Sequence, residues 1–511
     1  MAPAPETASR DFMKVVEELW EKNSGAYRIS PNQFMGDVND FFADSKLFVS
    51  LHTSKVLPGY LVCARCMVQN TLTPEYFPIS YTTLSGSETK EATGCFRDTF
   101  GESATDIIDS ANHAVRNCYK MVMVPGAVDW WLNDFIQTHT TALCNLNAGQ
   151  MEECVAPVPV SVSEFVLDND SSELKPNTVV DVYGYLSMPM DTDAEINCTK
   201  LFNVHVLRIS EVTHVAPDLT YSSNYQQSLR SDLVKNIASV LGSTASAEVF
   251  VNFLISTTYS RPNGSSPLCS MPLNIVGVEG SQAVNSIVDL IQHLMPKVKL
   301  LTITPDLLSQ KRFAPFKDYV TDDLLQGELQ LSNGTVLVID ETQLPSGSFP
   351  VSGFVEENLK VLEDLVVAQK MDYNYSFYKI PMDVDYNILI LSRKESRLFK
   401  TPFRIPVEVS GTPVSISDVR EKRNFLQKSR KAVASVSLTE DISKKIQNSF
   451  VAMCSTLNAT IDKAAFLNEM LIMSRLNASS SGSPSVEFEH WEHALRISSA
   501  NSFVLNSWRS R

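Results

Sequence analysis

Two stretches of this chain carry residue types that handle phosphate chemistry. Thr335-Val-Leu-Val-Ile-Asp-Glu-Thr342 runs apolar residues into an acidic pair. In a nucleotide-hydrolysing site of that order, the first acid (here Asp340) holds Mg²⁺ and the second (Glu341) orients the attacking water. A buried strand ending in acidic turn residues has the same appearance, so the pair acquires meaning only if a phosphate loop precedes it. The place for one follows Leu273-Asn-Ile-Val276, where a strand signal passes into a helix signal through Gly277-Val-Glu-Gly-Ser-Gln-Ala-Val284. A phosphate loop needs a glycine-rich turn with inward amides, a lysine for the β and γ oxygens, and a Ser or Thr for the metal. Gly277, Gly280 and Ser281 are present, but the first lysine beyond them is Lys297, and Glu279 would repel a triphosphate. Gly277, Gly280, Ser281, Asp340 and Glu341 are therefore read as a degenerate, inactive nucleotide position, with no catalytic residue and no cofactor.

Other chemistry has less support. Cys63-x-x-Cys66 is half of a zinc motif, but no second pair follows at the spacing of a zinc ribbon. On a strand, residues three apart face opposite sides, so these thiols would not converge. His490 and His493, near Glu487 and Glu489, share a helical face, but no HExxH accompanies them and an amphipathic surface helix is the expected reading. No metal site is expected. No G-x-S-x-G elbow is present, and no hydrolase triad can be nominated. Arg420, Lys422, Arg423, Lys428, Arg430 and Lys431 form either a nuclear import signal or the basic side of a linker or helix.

The 511 residues are enough for two to four domains with their own cores, and 44% hydrophobic with 20% charged residues is the balance of a folded protein. A net charge of -15, from 58 acidic and 43 basic residues, argues against a phosphate-tracking surface and for protein partners. The nine cysteines read as reduced thiols. No stretch approaches the roughly 18 apolar residues of a membrane span, and the N-terminus has no secretory h-region. Cytosol or nucleus is expected, with no membrane contact.

Several elements must position these residues. Phe12, Val15, Val16, Leu19 and Trp20 recur at helical spacing; that helix either docks on the core or binds a partner. Strand signals at Tyr60–Val68, Glu164–Leu167, Thr178–Leu186 and Lys200–Arg208, with Asp, Asn, Pro and Gly turns between them, suggest a small OB-like barrel. Residues 84–155 read as a variable insertion. After Pro217 come helices near Tyr225–Leu241 and Ala245–Tyr259. An alternation of strands and helices to about Ser392 then predicts an α/β sheet. A helical region with a Ser/Gly loop at Ala478–Ser485 closes the chain. The expected layout is a helical segment at 1–50, an OB-like β region at 51–215, an α/β domain at 216–414 and a C-terminal helical lid at 415–511.

That order of parts resembles the subunits of the minichromosome maintenance (MCM) helicase, whose motor is an AAA+ domain. Ala247–Arg261, Arg312–Tyr319, Gly327–Thr342 and Gln369–Tyr373 bring the likeness closer and resemble the MCM complex-binding protein family. The resemblance implies a nuclear, non-enzymatic partner of MCM subunits that protects and helps assemble them. It also implies a part in unloading MCM complexes from replicated chromatin and a link to sister-chromatid cohesion. In these terms the α/β domain is a degenerate AAA+-like module. Two alternatives remain: a residual nucleotide-binding ATPase, resting on Asp340 and Glu341, and a single-stranded-DNA binder, resting on Tyr76, Phe77, Tyr183 and Tyr185. Acidity disfavours direct nucleic-acid binding.

Overall fold

A computed structural model describes residues 12–52, 56, 58–85, 88–98, 107–108, 113–139, 160–165, 174–187, 202–212, 221–262, 267–345, 352–407, 416–454 and 462–510. The chain divides into two compact units, residues 1–125 with 129–212 and 318–324, and residues 126–128 with 213–317 and 325–511. No single helix among the described residues is long and apolar enough to cross a membrane.

The first unit opens with helices α1 (Phe12–Ile29) and α2 (Pro31–Phe41). Its strands are β1 (Val49–Ser50), β2 (Leu61–Thr71), β3 (Glu75–Pro78), β4 (Ser80–Ser85), β5 (Glu88–Thr93), β6 (Ile107–Ile108), β7 (His113–Met123), β8 (Val160–Phe165), β9 (Val179–Leu186) and β10 (Asn203–Glu211), with α3 (Asp129–His139) between β7 and β8. β2, β9, β10, β8 and β7 pair in that order, and a further β2–β7 ladder closes them into a ring. Within the ring only β8 and β10 run parallel.

β2 explains the construction. Val62, Ala64, Cys66 and Val68 belong to the interior cluster of the ring, while Leu61 and Cys63 belong to the cluster formed with Phe12, Trp20 and Phe34 from α1 and α2. With both faces covered, Leu61–Val68 is apolar at every position but Arg65 instead of alternating. The N-terminal helix is thus docked on the core. β7 lies inside the stretch expected to be an insertion, yet it pairs with β2, β3 and β8. Its polar residues His113, Arg116, Asn117 and Lys120 recur at helical spacing and not in alternation, which diluted the strand signal.

The second unit is an α/β layer with a helical region around it. α4 (Ser223–Leu241) and α5 (Thr244–Ile255) precede β11 (Leu273–Val276), α6 (Gly280–Leu294), β12 (Val298–Thr302), α7 (Pro305–Gln310), β13 (Val336–Asp340), α8 (Val355–Ala368), the hairpin β14 (Lys370–Asn374) with β15 (Lys379–Asp383), β16 (Asn387–Ser392) and β17 (Phe403–Pro406). β12, β13, β16, β11 and β17 form one sheet in that order, with all four ladders parallel. Its strands are buried runs such as Val336–Asp340 and Asn387–Ser392, as parallel strands covered on both faces must be.

The C-terminal helices are α9 (Val419–Ala432), α10 (Glu440–Cys454), α11 (Lys463–Ser481) and α12 (Phe488–Arg509). α11 continues through Ala478-Ser-Ser-Ser481, expected to be loop, and ends where Gly482 takes the left-handed φ of +76°. Burial against α4 and α5 outweighs the weak helix propensity of those serines. Asn252 donates to Asn477 Oδ1 at 3.1 Å, and Gln226 donates to the Ser479 carbonyl at 3.4 Å.

Candidate functional site

All five residues of the degenerate nucleotide position lie at the carboxyl edge of the parallel sheet, where open α/β sheets bind ligands. β11 ends at Val276, α6 begins at Gly280, and β13 ends at Asp340, with β16 lying between β13 and β11. Gly277 and Gly280 both have left-handed φ, +84° and +77°, as the strand-to-helix turn requires. Sheet topology therefore brings Gly277, Gly280, Ser281, Asp340 and Glu341 to one edge.

Their partners belong to the chain itself. Asp340 is buried, and one of its carboxylate oxygens accepts from the Thr342 amide at 2.8 Å. Glu341 is also buried, accepting from the Ser396 hydroxyl at 2.7 Å and the Arg397 amide at 3.1 Å. Burial raises its carboxyl pKa against the opposing pull of those donors. The loop that supplies them is fixed by Asn274 on β11, which donates to Ser392 Oγ at 2.8 Å and accepts from the Ser396 amide at 3.1 Å. The second acid is thus engaged by the segment after β16.

The loop after β11 is covered from another side. A Cβ placed on Gly277 would lie 2.8 Å from Trp508 Nε1 and 3.2 Å from the Val407 carbonyl oxygen. The next residue, Arg509, donates from Nε to Glu395 at 2.9 Å. The last turn of α12 thus seats an indole against the first glycine of the turn. No motif in the sequence signalled Trp508, which is one of several aromatics along α12.

Lys297, the first lysine after the loop, lies at the opposite edge of the sheet. It precedes β12, is fully buried, and donates to Ser332 Oγ at 2.8 Å and the Asn333 carbonyl at 2.6 Å. It cannot reach a phosphate at the carboxyl edge. Nearby, Arg430 of α9 pairs with Asp385 at 2.7 Å, and Asp385 also accepts from the Thr257 hydroxyl and the Thr258 amide. These contacts hold the helical region to the sheet.

The remaining candidates take structural places. Cys63 and Cys66 face opposite sides of β2, so the two thiols do not converge on one ion, and burial pushes both up to about 12. His490 caps α12, its Nδ1 accepting from the Glu487 amide at 2.9 Å, and His493 stands 3.8 Å from Glu248. Among the described residues no group of three or more His, Cys, Asp or Glu could hold a metal ion.

In the basic stretch, Lys422 is buried and donates to the Ser417 carbonyl at 2.7 Å, Arg423 donates to the His293 carbonyl at 2.7 Å, and Lys428 lies 4.7 Å from the Tyr221 ring. With Arg430 also engaged, most of its positive charge is spent on packing α9. Of the four aromatics proposed to stack bases, Phe77 and Tyr183 are buried and Tyr185 stacks on Phe12 at 4.6 Å; Tyr76 is 77% exposed. Helices α1 and α2 pack on the face that carries Tyr183 and Tyr185.

Residues 48–160 and 137–502 match the family model described as Mini-chromosome maintenance replisome factor. The mini-chromosome maintenance complex-binding protein of Rattus norvegicus is 28% identical over 323 residues, 58% of this chain and 49% of that protein. The Gallus gallus protein of the same name is 29% identical over 321 residues, 58% of this chain and 50% of its own length. The match with the Arabidopsis thaliana protein is 26% over 371 residues, 65% and 61% respectively. The chain thus spans about half the length of its vertebrate relatives. With the family model matched along most of its length, the chain belongs to the Mini-chromosome maintenance replisome factor family.

Proposed function

We propose that this chain is a non-enzymatic binding partner of MCM helicase subunits, built on an OB-type barrel and an AAA+-type core that has lost nucleotide chemistry. The observation that carries the proposal is the family match over residues 48–502, together with relatives named for binding the mini-chromosome maintenance complex. Two topologies support the architecture. Taken in chain order, the ring strands β2, β7, β8, β9 and β10 adjoin as first, second, third, fifth, fourth, with the third and fifth parallel, which is consistent with an OB barrel. The sheet strands β11, β12, β13, β16 and β17 adjoin as second, third, fourth, first, fifth, consistent with an AAA+ core.

Partner binding follows from what such a core retains once its chemistry is gone. AAA+ relatives assemble side by side, so a silent module can offer an MCM subunit the flat surface of a neighbour. In this account the chain works in the nucleus, shelters and helps assemble MCM subunits, promotes their release from replicated chromatin, and through that release bears on sister-chromatid cohesion. Chromatin is reached through MCM and not by direct contact with DNA. Size exclusion with light scattering of the purified chain, mixed with single MCM subunits and with a preformed hexamer, tests this. Co-migration with a subunit, and smaller complexes from the hexamer, is the expected result; separate elution in every mixture at moderate salt would reject it.

A further inference from the structure

The hairpin β14–β15 ends in an aromatic tip that is fixed in place and open to water. Tyr375 N–H donates to the Tyr378 carbonyl at 2.9 Å, and Phe377 N–H donates to the Tyr375 carbonyl at 2.7 Å. Ser376 sits at a φ of +63°, with its amide taken by Asn374 Oδ1 at 2.8 Å. The Tyr375 and Tyr378 rings stack at 5.1 Å with 6° between their planes. On this support Phe377 is 87% exposed and Tyr378 56%. A tip whose backbone is already ordered loses less entropy when a partner covers it, and exposed aromatics supply much of the binding energy at protein interfaces.

The same hairpin lines a cleft of about 930 Å³ through Asp372, Asn374 and Lys379, with α8 also lining it. Five carboxylates, four on α8 plus Asp372, line the cleft against three cations, Lys360, Lys379 and Arg397. Lys360 pairs with Asp364 at 2.8 Å and Glu363 at 3.4 Å, Glu357 pairs with Arg312 at 3.5 Å, and Arg397 donates to the Pro345 carbonyl at 2.5 Å, so Glu356 and Asp372 carry most of the charge open to a partner. The surface therefore combines an aromatic projection on an ordered turn with a cleft of net negative charge, on a chain that is itself acidic.

We propose that the tip of β14–β15 and the cleft beside α8 form a docking surface for a protein partner that offers an apolar pocket to Phe377 and Lys or Arg side chains to the cleft. The proposal rests on the assignment of MCM subunits as partners and locates one contact. Nucleic acid and anionic lipid are disfavoured because the carboxylates would repel both.

Biolayer interferometry of the full chain against purified MCM subunits, each alone and at increasing salt, tests it with Phe377→Ser/Tyr378→Ser, Glu356→Lys/Asp372→Lys and, as a control on α12, Phe503→Ser. At least about tenfold weaker binding is expected for the aromatic pair, with a reduced salt dependence for the charge-reversed pair and no change for the control. Wild-type binding that survives the aromatic substitutions within about twofold would overturn the docking surface and leave MCM binding standing. Absence of wild-type binding to every subunit would remove both. Binding of a single-stranded oligonucleotide that is lost with Phe377→Ser would also overturn it. If the aromatic variant melts early, hydrogen exchange on the wild-type complex decides: residues 370–383 must gain protection.

Discussion

Trp508 stands against Gly277 so closely that a Cβ on the glycine would lie 2.8 Å from the indole nitrogen, whereas a Cβ on Gly280 meets nothing within 4 Å. Both glycines have positive φ, so both carry a backbone cost on substitution. Gly280→Ala should cost about 1 kcal/mol. Gly277→Ala adds a clash with Trp508 and the Val407 carbonyl and should cost roughly 2–3 kcal/mol. Urea unfolding of the two variants checks the order; equal costs would mean that Trp508 does not press on this turn.

Lys297 should leave a signature in the pH dependence of stability. Burial, reinforced by Arg430, lowers its pKa to about 7 from an ordinary 10.5. Between those values the unfolded chain holds a proton that the folded chain lacks, so this lysine destabilises fully below pH 7 and the penalty fades as pH rises toward 10.5. The stability of wild type relative to Lys297→Met should therefore rise between pH 7 and 9, by up to about 1.4 kcal/mol per unit. A flat difference would place the ammonium in contact with water.

Asp385 is predicted to be the most sensitive polar residue of the second unit. Its carboxylate accepts from Thr257, Thr258 and Arg430. Asp385→Ala leaves the mostly buried Arg430 charge without its carboxylate, at a cost of about 3–5 kcal/mol. Replacing both residues by apolar ones of similar volume should recover much of that loss. Thermal melts of the single and double variants measure it.

The buried thiols should be slow to alkylate. Burial pushes Cys63, Cys66 and Cys269 up to about 12 and Cys95 to about 11, while Cys454 is half-exposed. Iodoacetamide labelling of native protein at neutral pH, mapped by mass spectrometry, should modify Cys454 at least about tenfold faster than these four. Zinc protection of Cys63 and Cys66 together would contradict the opposed faces of β2.

Much of this arrangement was legible in the sequence because its signals are local. The runs Leu273–Val276, Val336–Asp340 and Asn387–Ser392 are short, apolar and bounded by polar turns, and each is a parallel strand. The missing loop lysine was equally visible. What escaped depends on contacts distant in sequence. β7 is a mixed strand made regular by three neighbours, and the hairpin at 370–383 starts from an alternation in Lys-Met-Asp-Tyr-Asn only five residues long, with Met371 and Tyr373 facing inward. The closure of the nucleotide position was invisible for the same reason: Gly277 and Trp508 lie far apart in sequence, and Glu341 meets Ser396 across a loop with no motif of its own.

Isothermal titration of Mg·ATP into the purified chain, repeated with Trp508→Ala, tests most directly whether the core is chemically silent. No binding heat is predicted for either protein, because removing the indole uncovers the turn without supplying the lysine. A Mg²⁺-dependent Kd in the micromolar range for the wild type, lost in Asp340→Asn, would contradict the account and restore a nucleotide-driven function.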